Sequence, residues 1–95
     1  MDRISAVADI GRIVNVDIAR QQIEGGIIWG LATALGNAMS YDKGKAMANN
    51  LAALHLPVLA NSPEIITHLI ASPHQSGGVG EIAVPPVAPA IPNAL

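Results

Sequence analysis

Hydrophobic and polar residues alternate over the first ten positions of the chain. Ile4, Ala6, Ala8 and Ile10 fall on one side, and Arg3, Ser5, Val7 and Asp9 on the other. A period of two predicts a strand over Arg3–Ile10, with Gly11 and Asn15 punctuating its exit. The spacing then changes. Ile18, Ile23, Ile27, Leu31, Ala34 and Leu35 recur at near-helical intervals behind Asn15 and Asp17, two good helix-starting residues. This predicts a helix over Asp17–Leu35, ending near Gly36-Asn37. Gly25, Gly26 and Gly30 lie inside it, each costing about 1 kcal/mol relative to Ala. A helix carrying three such costs implies close backbone approach, to another element or to a ligand.

Residues 25–41 carry no charge. The stretch sits at the bottom of the membrane-spanning range and ends on polar Asn37 and Ser40, so a helix buried in a protein core, apolar all round, explains it better than a membrane span. Met39–Met47 reads as a hairpin with its turn at Asp42-Lys43-Gly44. Pro57-Val58-Leu59 reads as a short extended piece. Glu64–Ala71, rich in β-branched residues and apolar on both faces, reads as a buried strand. Ser76–Glu81 is a glycine loop, and Pro85-Pro86 can open a last helix, since Pro is tolerated in a first turn. The resulting order, β-α-β-β-β-α, predicts an α+β unit.

Composition changes this picture in one respect. The 95 residues are 51% hydrophobic and 13% charged, about half the usual charged share of roughly 25%. So little polar cover suits a segment of a bigger protein more than a free-standing domain. The net charge is −2 and the five basic residues are scattered, which leaves no basic stripe for nucleic acid. With no cysteine, disulfides, Cys-based zinc sites and iron–sulfur ligation are excluded within this chain. The opening residues do not read as a signal peptide.

The glycine loop holds the sharpest candidate chemistry. Glu81 follows Gly77-Gly78-Val79-Gly80. Such glycines allow positive φ angles and close approach of backbone to a ligand, and a carboxylate placed there can act as a general base. On spacing alone, a plain turn with a solvated Glu remains the simpler reading. The loop is neither a dinucleotide fingerprint nor a phosphate-binding loop. Gln21-Gln22-Ile23-Glu24-Gly25-Gly26 offers amide donors and acceptors beside cleared space, which suits a polar heterocycle; an ordinary polar helix face is again the simpler alternative. His55, His68 and His74 lack metal-ligand spacing, and His68 is expected in the core or on the second face of its strand. No Gly-x-Ser-x-Gly elbow is present.

Taken together, two segments resemble a known family. Asp9-Ile10-Gly11-Arg12-Ile13-Val14-Asn15 leading into Gln21–Leu31 is one; Gly77-Gly78-Val79-Gly80-Glu81 with Pro85-Pro86-Val87-Ala88-Pro89-Ala90 is the other. In this order they resemble the C-terminal part of the molybdenum-binding subunit of the xanthine dehydrogenase/aldehyde oxidase family, of the isoquinoline 1-oxidoreductase beta-subunit type. The resemblance implies that residues 1–95 are a single partial domain, a C-terminal segment of a molybdenum-cofactor-binding domain. It implies hydroxylation of aldehydes or N-heteroaromatic compounds with water-derived oxygen, by an enzyme of which this chain alone is an inactive fragment. Glu81 then maps onto the catalytic general base, and Gln22 and Gly80 onto the cofactor-binding positions. The metal would be held by the pterin dithiolene, in the cytosine dinucleotide form of the cofactor, with no protein metal ligand. Partners would be the remainder of the molybdenum subunit and an iron–sulfur subunit. Cytoplasm and periplasm are both open. Ile82 stands where the family usually has Pro, Ala83 where Gly is common and Pro92 where Ala is usual. The alternative is a small, non-catalytic interaction or structural protein that keeps the fold.

Overall fold

The computed structural model describes residues 1–95. Strand β1 (Arg3–Ala8) is followed by helix α1 (Val16–Leu35), a hairpin of β2 (Tyr41–Asp42) and β3 (Lys45–Ala46), two 3₁₀ turns at Leu51–Leu54 and Leu59–Asn61, strand β4 (Glu64–Leu69) and helix α2 (Val87–Asn93). The order of strands and helices is the one the pattern predicts.

Strand β1 pairs with β4 in parallel, in the register Arg3↔Glu64 through Ala8↔Leu69. Its alternation has the expected meaning: Ile4, Ala6 and Ala8 are half-buried, while Arg3, Ser5 and Val7 are exposed. The strand stops two residues early. The Asp9 carboxylate accepts the Gly11 N–H at 2.9 Å, and this turn takes Ile10 out of the ladder. Ile10 is nevertheless buried, as expected for its side.

Helix α1 starts where Asn15 caps it. The Asn15 side chain accepts the Ile18 N–H at 3.0 Å, satisfying one of the first-turn donors, and Asp17 in that turn complements the helix dipole. Ile23, Ile27 and Leu31, at steps of four, form the buried stripe, and they meet Ala83 and Val87 with β1 and β4 packed alongside. Burial of each such side chain contributes about 1.5–3 kcal/mol. The helix is not enclosed all round in this chain: Ile18, Trp29 and Leu35 are exposed.

The hairpin forms as predicted, with Tyr41 opposite Ala46 and Asp42 opposite Lys45. Its two-residue turn, Lys43-Gly44, has positive φ at both positions (46° and 79°), the conformation favoured between tightly twisted strands. From Thr33 to Ile66 no residue is buried. This excursion makes the molecule 54 Å long against 27 and 24 Å, with a radius of gyration of 15.8 Å, where a compact chain of this length has about 12 Å.

Two expectations are corrected. Pro57-Val58-Leu59 is not extended throughout: Val58 is extended, but it caps the 3₁₀ turn that begins at Leu59, and its N–H donates to the Asn61 side chain at 2.9 Å. Glu64–Ala71 shortens to Glu64–Leu69 and is not buried on both faces. Only Thr67 is buried, because nothing in this chain covers the far side. His68 lies exposed on that far face, the second of the two places expected for it.

Candidate functional site

The glycine loop is tied down at both ends. At its start, Arg12 N–H donates to the His74 carbonyl at 3.0 Å and Gly77 N–H donates to the Ile10 carbonyl at 2.8 Å, fastening the loop to the exit of β1. The Ser76 hydroxyl also donates to the Arg12 carbonyl. Gly11, with φ +72°, is needed here: a Cβ at this position would stand 2.1 Å from the Gln75 carbonyl oxygen. At the other end, Ala83 is buried against α1, where a Cβ on Gly26 would come within 3.0 Å of the Ala83 Cβ. Val84 N–H closes a turn onto the Glu81 carbonyl at 3.0 Å. Pro85-Pro86 then lead into α2, where Pro89 sits in the first turn and Pro92 in the last. At Pro92 the missing N–H removes only the bond to Ala88 before the helix ends, so the cost of a prolonged helix does not arise.

Held this way, the loop faces the middle of α1 across a cleft of about 510 Å³. From α1 come Gln21, Gln22, Gly25, Gly26 and Trp29; from the loop come Gly80, Glu81, Val84 and Pro85. The fold thus brings Gln22, Gly80 and Glu81 together on one cleft. Gln22 and Glu81 are both exposed to it, as is Trp29.

The glycines serve different purposes from those their spacing suggests. None of Gly77, Gly78 and Gly80 has positive φ; Gly11 and Gly44 do. A Cβ at Gly78 or Gly80 would meet nothing within 4 Å, so neither the chain's own packing nor its backbone conformation demands a glycine there. Within α1, Gly26 and Gly30 permit the close approach to Ala83, Val84 and Val87, whereas Gly25 faces open space.

These features fit a pterin-type cofactor. Glutamine amides can match the alternating donors and acceptors of a pterin edge, and Gly25 and Gly80 leave room for a flat group to approach backbone. No group of three His, Asp or Glu side chains comes together to hold a metal ion. The histidines are dispersed: His55 has a left-handed backbone at the end of a 3₁₀ turn, His68 is on β4 and His74 is in the loop anchor. No helix is long and apolar enough to cross a membrane. Gln21 belongs to the segment that the sequence marks for a polar heterocycle, whereas Trp29, Val84 and Pro85 join the cleft without such a mark. For Gln21 and Trp29 a signal existed, since both lie four residues from Gly25 on one helical stripe. Nothing in the local sequence marks Gly11 as the most crowded glycine.

Residues 1–63 match the molybdopterin cofactor-binding domain family. Over 95 residues the chain is 31% identical to isoquinoline 1-oxidoreductase subunit beta of Brevundimonas diminuta, covering 100% of this chain and 12% of that protein. Over 101 residues it is 36% identical to the aldehyde oxidoreductase molybdenum-binding subunit PaoC of Escherichia coli K12, covering 98% of this chain and 14% of that one. The crystal structure of a Cu,Mo-CO dehydrogenase in its carbon monoxide reduced state superposes with a TM-score of 0.86 at 30% identity, over 97% of this chain and 12% of the larger one. The chain therefore spans about an eighth of the length of these relatives.

Proposed function

Because the chain belongs to the molybdopterin cofactor-binding domain family, we propose that it forms one wall of the active site of a molybdenum hydroxylase acting on aldehydes or N-heteroaromatic compounds. The observation that carries this reading is the meeting of Gln22, Gly80 and Glu81 on one cleft, from two segments far apart in sequence. When bound, the molybdenum–pterin cofactor supplies two-electron redox chemistry and Lewis acidity. Gln22 would hydrogen-bond the pterin through its side-chain amide. Gly80, without a side chain, would let the cofactor lie close to the loop backbone. Glu81 would accept the proton given up by the water-derived oxygen as that oxygen bonds to the electrophilic carbon of the substrate. Its carboxylate must be ionised to do so.

On this reading residues 1–95 are a single part of a larger cofactor-binding domain, and the remainder of the molybdenum subunit completes the site. The small share of the relatives' length that the chain spans supports this. Iron–sulfur centres would lie in a partner chain or domain, in keeping with the absence of cysteine here. The cofactor would be in the cytosine dinucleotide form, as the resemblance of the sequence motifs implies.

The test is Glu81→Gln in a full-length subunit carrying this segment. Gln is nearly isosteric and cannot serve as the base, so turnover per bound molybdenum should fall about 10²–10⁴-fold with molybdenum content unchanged. A variant that keeps more than about a tenth of the parental rate per metal, well short of that range, would overturn the role given to Glu81.

A further inference from the structure

Gln21, Gly25 and Trp29 follow one another at steps of four along α1, and all three line the cleft that contains Glu81. Such steps place them on one stripe of the helix surface, a turn apart. The middle position is empty. A Cβ on Gly25 would meet nothing within 4 Å, unlike one on Gly26 or Gly30, so packing within the chain gives no reason for a glycine there. Its absent side chain opens a slot. The slot is floored by helix backbone and lies between the Gln21 and Trp29 positions, about 12 Å apart along the axis.

Trp29 is the only tryptophan in the chain, yet it is 64% exposed. Helical side chains lean toward the N-terminus of their helix, which carries this indole toward the Gly25 position. The slot thus offers a flat aromatic face, an amide with both donor and acceptor, and open backbone between them. Aromatic faces bind flat rings by stacking, in a manner tolerant of ring identity, and an amide reads the polar edge of a ring.

We infer that the slot over Gly25 binds a planar N-heteroaromatic ring, stacked on Trp29 with its polar edge toward Gln21. This rests on the proposed active-site role of the cleft and deepens it, naming Trp29 as a binding residue and Gly25 as the position that makes room. The ring could be the pterin of the cofactor or the ring of a heteroaromatic substrate; both share the stacked face and the ring-nitrogen edge.

The experiment uses the ¹⁵N-labelled 95-residue chain, titrated separately with pterin and with isoquinoline. The single indole N–H signal reports on Trp29, and the Gly25, Gly80 and Glu81 amides report on the rest of the cleft. At least one ring should shift the Trp29 and Gly25 signals together. Trp29→Ala and Gly25→Leu should each weaken that binding roughly tenfold, with Gly25→Leu melting at or above the parental temperature. A response to pterin alone assigns the slot to cofactor, a response to isoquinoline alone assigns it to substrate, and a response to both gives the shared ring chemistry; each supports the slot. Shifts at Gly80 and Glu81 without shifts at Trp29 and Gly25 overturn the slot and leave the reading of the cleft standing. No shift from either ring, or undiminished binding in Gly25→Leu, overturns the slot as well. In a full-length subunit the same Gly25→Leu change should lower molybdenum content or raise KM; no change in either overturns the inference independently. Failure of the Glu81 role itself would show separately, as turnover surviving in Glu81→Gln.

Discussion

A methyl group on Gly30 would stand 2.7 Å from Val87 Cγ2 and 2.8 Å from Val87 Cβ. The same methyl would lie 2.9 Å from the Val84 carbonyl oxygen, so backbone as well as side chain would have to move. Gly30→Ala gains about 1 kcal/mol of helix propensity but overpacks a site that cannot give way, at a cost of about 1–3 kcal/mol. The expected net effect is a loss of about 1 kcal/mol. Gly25→Ala should have the opposite sign, a gain of about 0.5–1 kcal/mol, since its methyl enters open space. Urea unfolding of the two variants side by side checks both; equal shifts would contradict the packing of α1 on α2.

Gly11→Ala should be the most damaging glycine change. Position 11 combines φ +72° with a would-be contact of 2.1 Å to the Gln75 carbonyl. The left-handed backbone alone costs about 1–3 kcal/mol for an ordinary residue, and displacing Gln75 would loosen the bonds that fasten the loop to β1. A loss of about 3 kcal/mol or more is expected, with faster amide exchange at Gly77 as the local signature.

Thr67→Val should leave stability unchanged or raise it by about 1 kcal/mol. The Thr67 hydroxyl is buried and has no hydrogen-bond partner, and Val has the same branched shape and equal preference for a strand. Thermal melts would reveal the sign; a marked loss would mean that the hydroxyl is satisfied.

Gln22→Ala, in a full-length subunit, should separate from Glu81→Gln. It removes an exposed amide from the cleft, leaves the general base in place and does not disturb the buried stripe of α1. Molybdenum content should fall while turnover per remaining metal persists, as measured by metal analysis alongside steady-state rates. Full metal content with lost turnover would exchange the roles given to the two residues.

The sequence pattern was most informative where one stretch of chain sets its own structure. The alternation read over Arg3–Ile10, the Asn15 cap of α1 and the turn read at Asp42-Lys43-Gly44 each depend on neighbours a few residues away, and each is found, with the strand ending at Ala8 and the turn tightened to Lys43-Gly44. The parallel pairing of β1 with β4 depends on partners some sixty positions apart, for which no local signal exists. Burial of β4 was overread because apolar residues on both faces predict cover that this chain does not itself supply. For the site, the Gly-Glu and Gln motifs were visible, and so was the need for close approach at the helix glycines. What could not be read was which glycine does what. Gly26 and Gly30 answer to α2 and the residues leading into it, Gly11 to the Gln75 carbonyl, and Gly25 to none of them.

The long unburied excursion between α1 and β4 has a further consequence for how the polypeptide can be cut. The contacts that unite the two halves, the β1–β4 ladder and the packing of α1 on α2, lie outside it. A protease entering at the Lys43–Lys45 turn or among the 3₁₀ turns would meet exposed backbone and leave those contacts whole. The nicked chain should therefore stay together as two non-covalently joined pieces. Separately expressed fragments split in that region should reassemble, with Gln22 contributed by one fragment and Glu81 by the other.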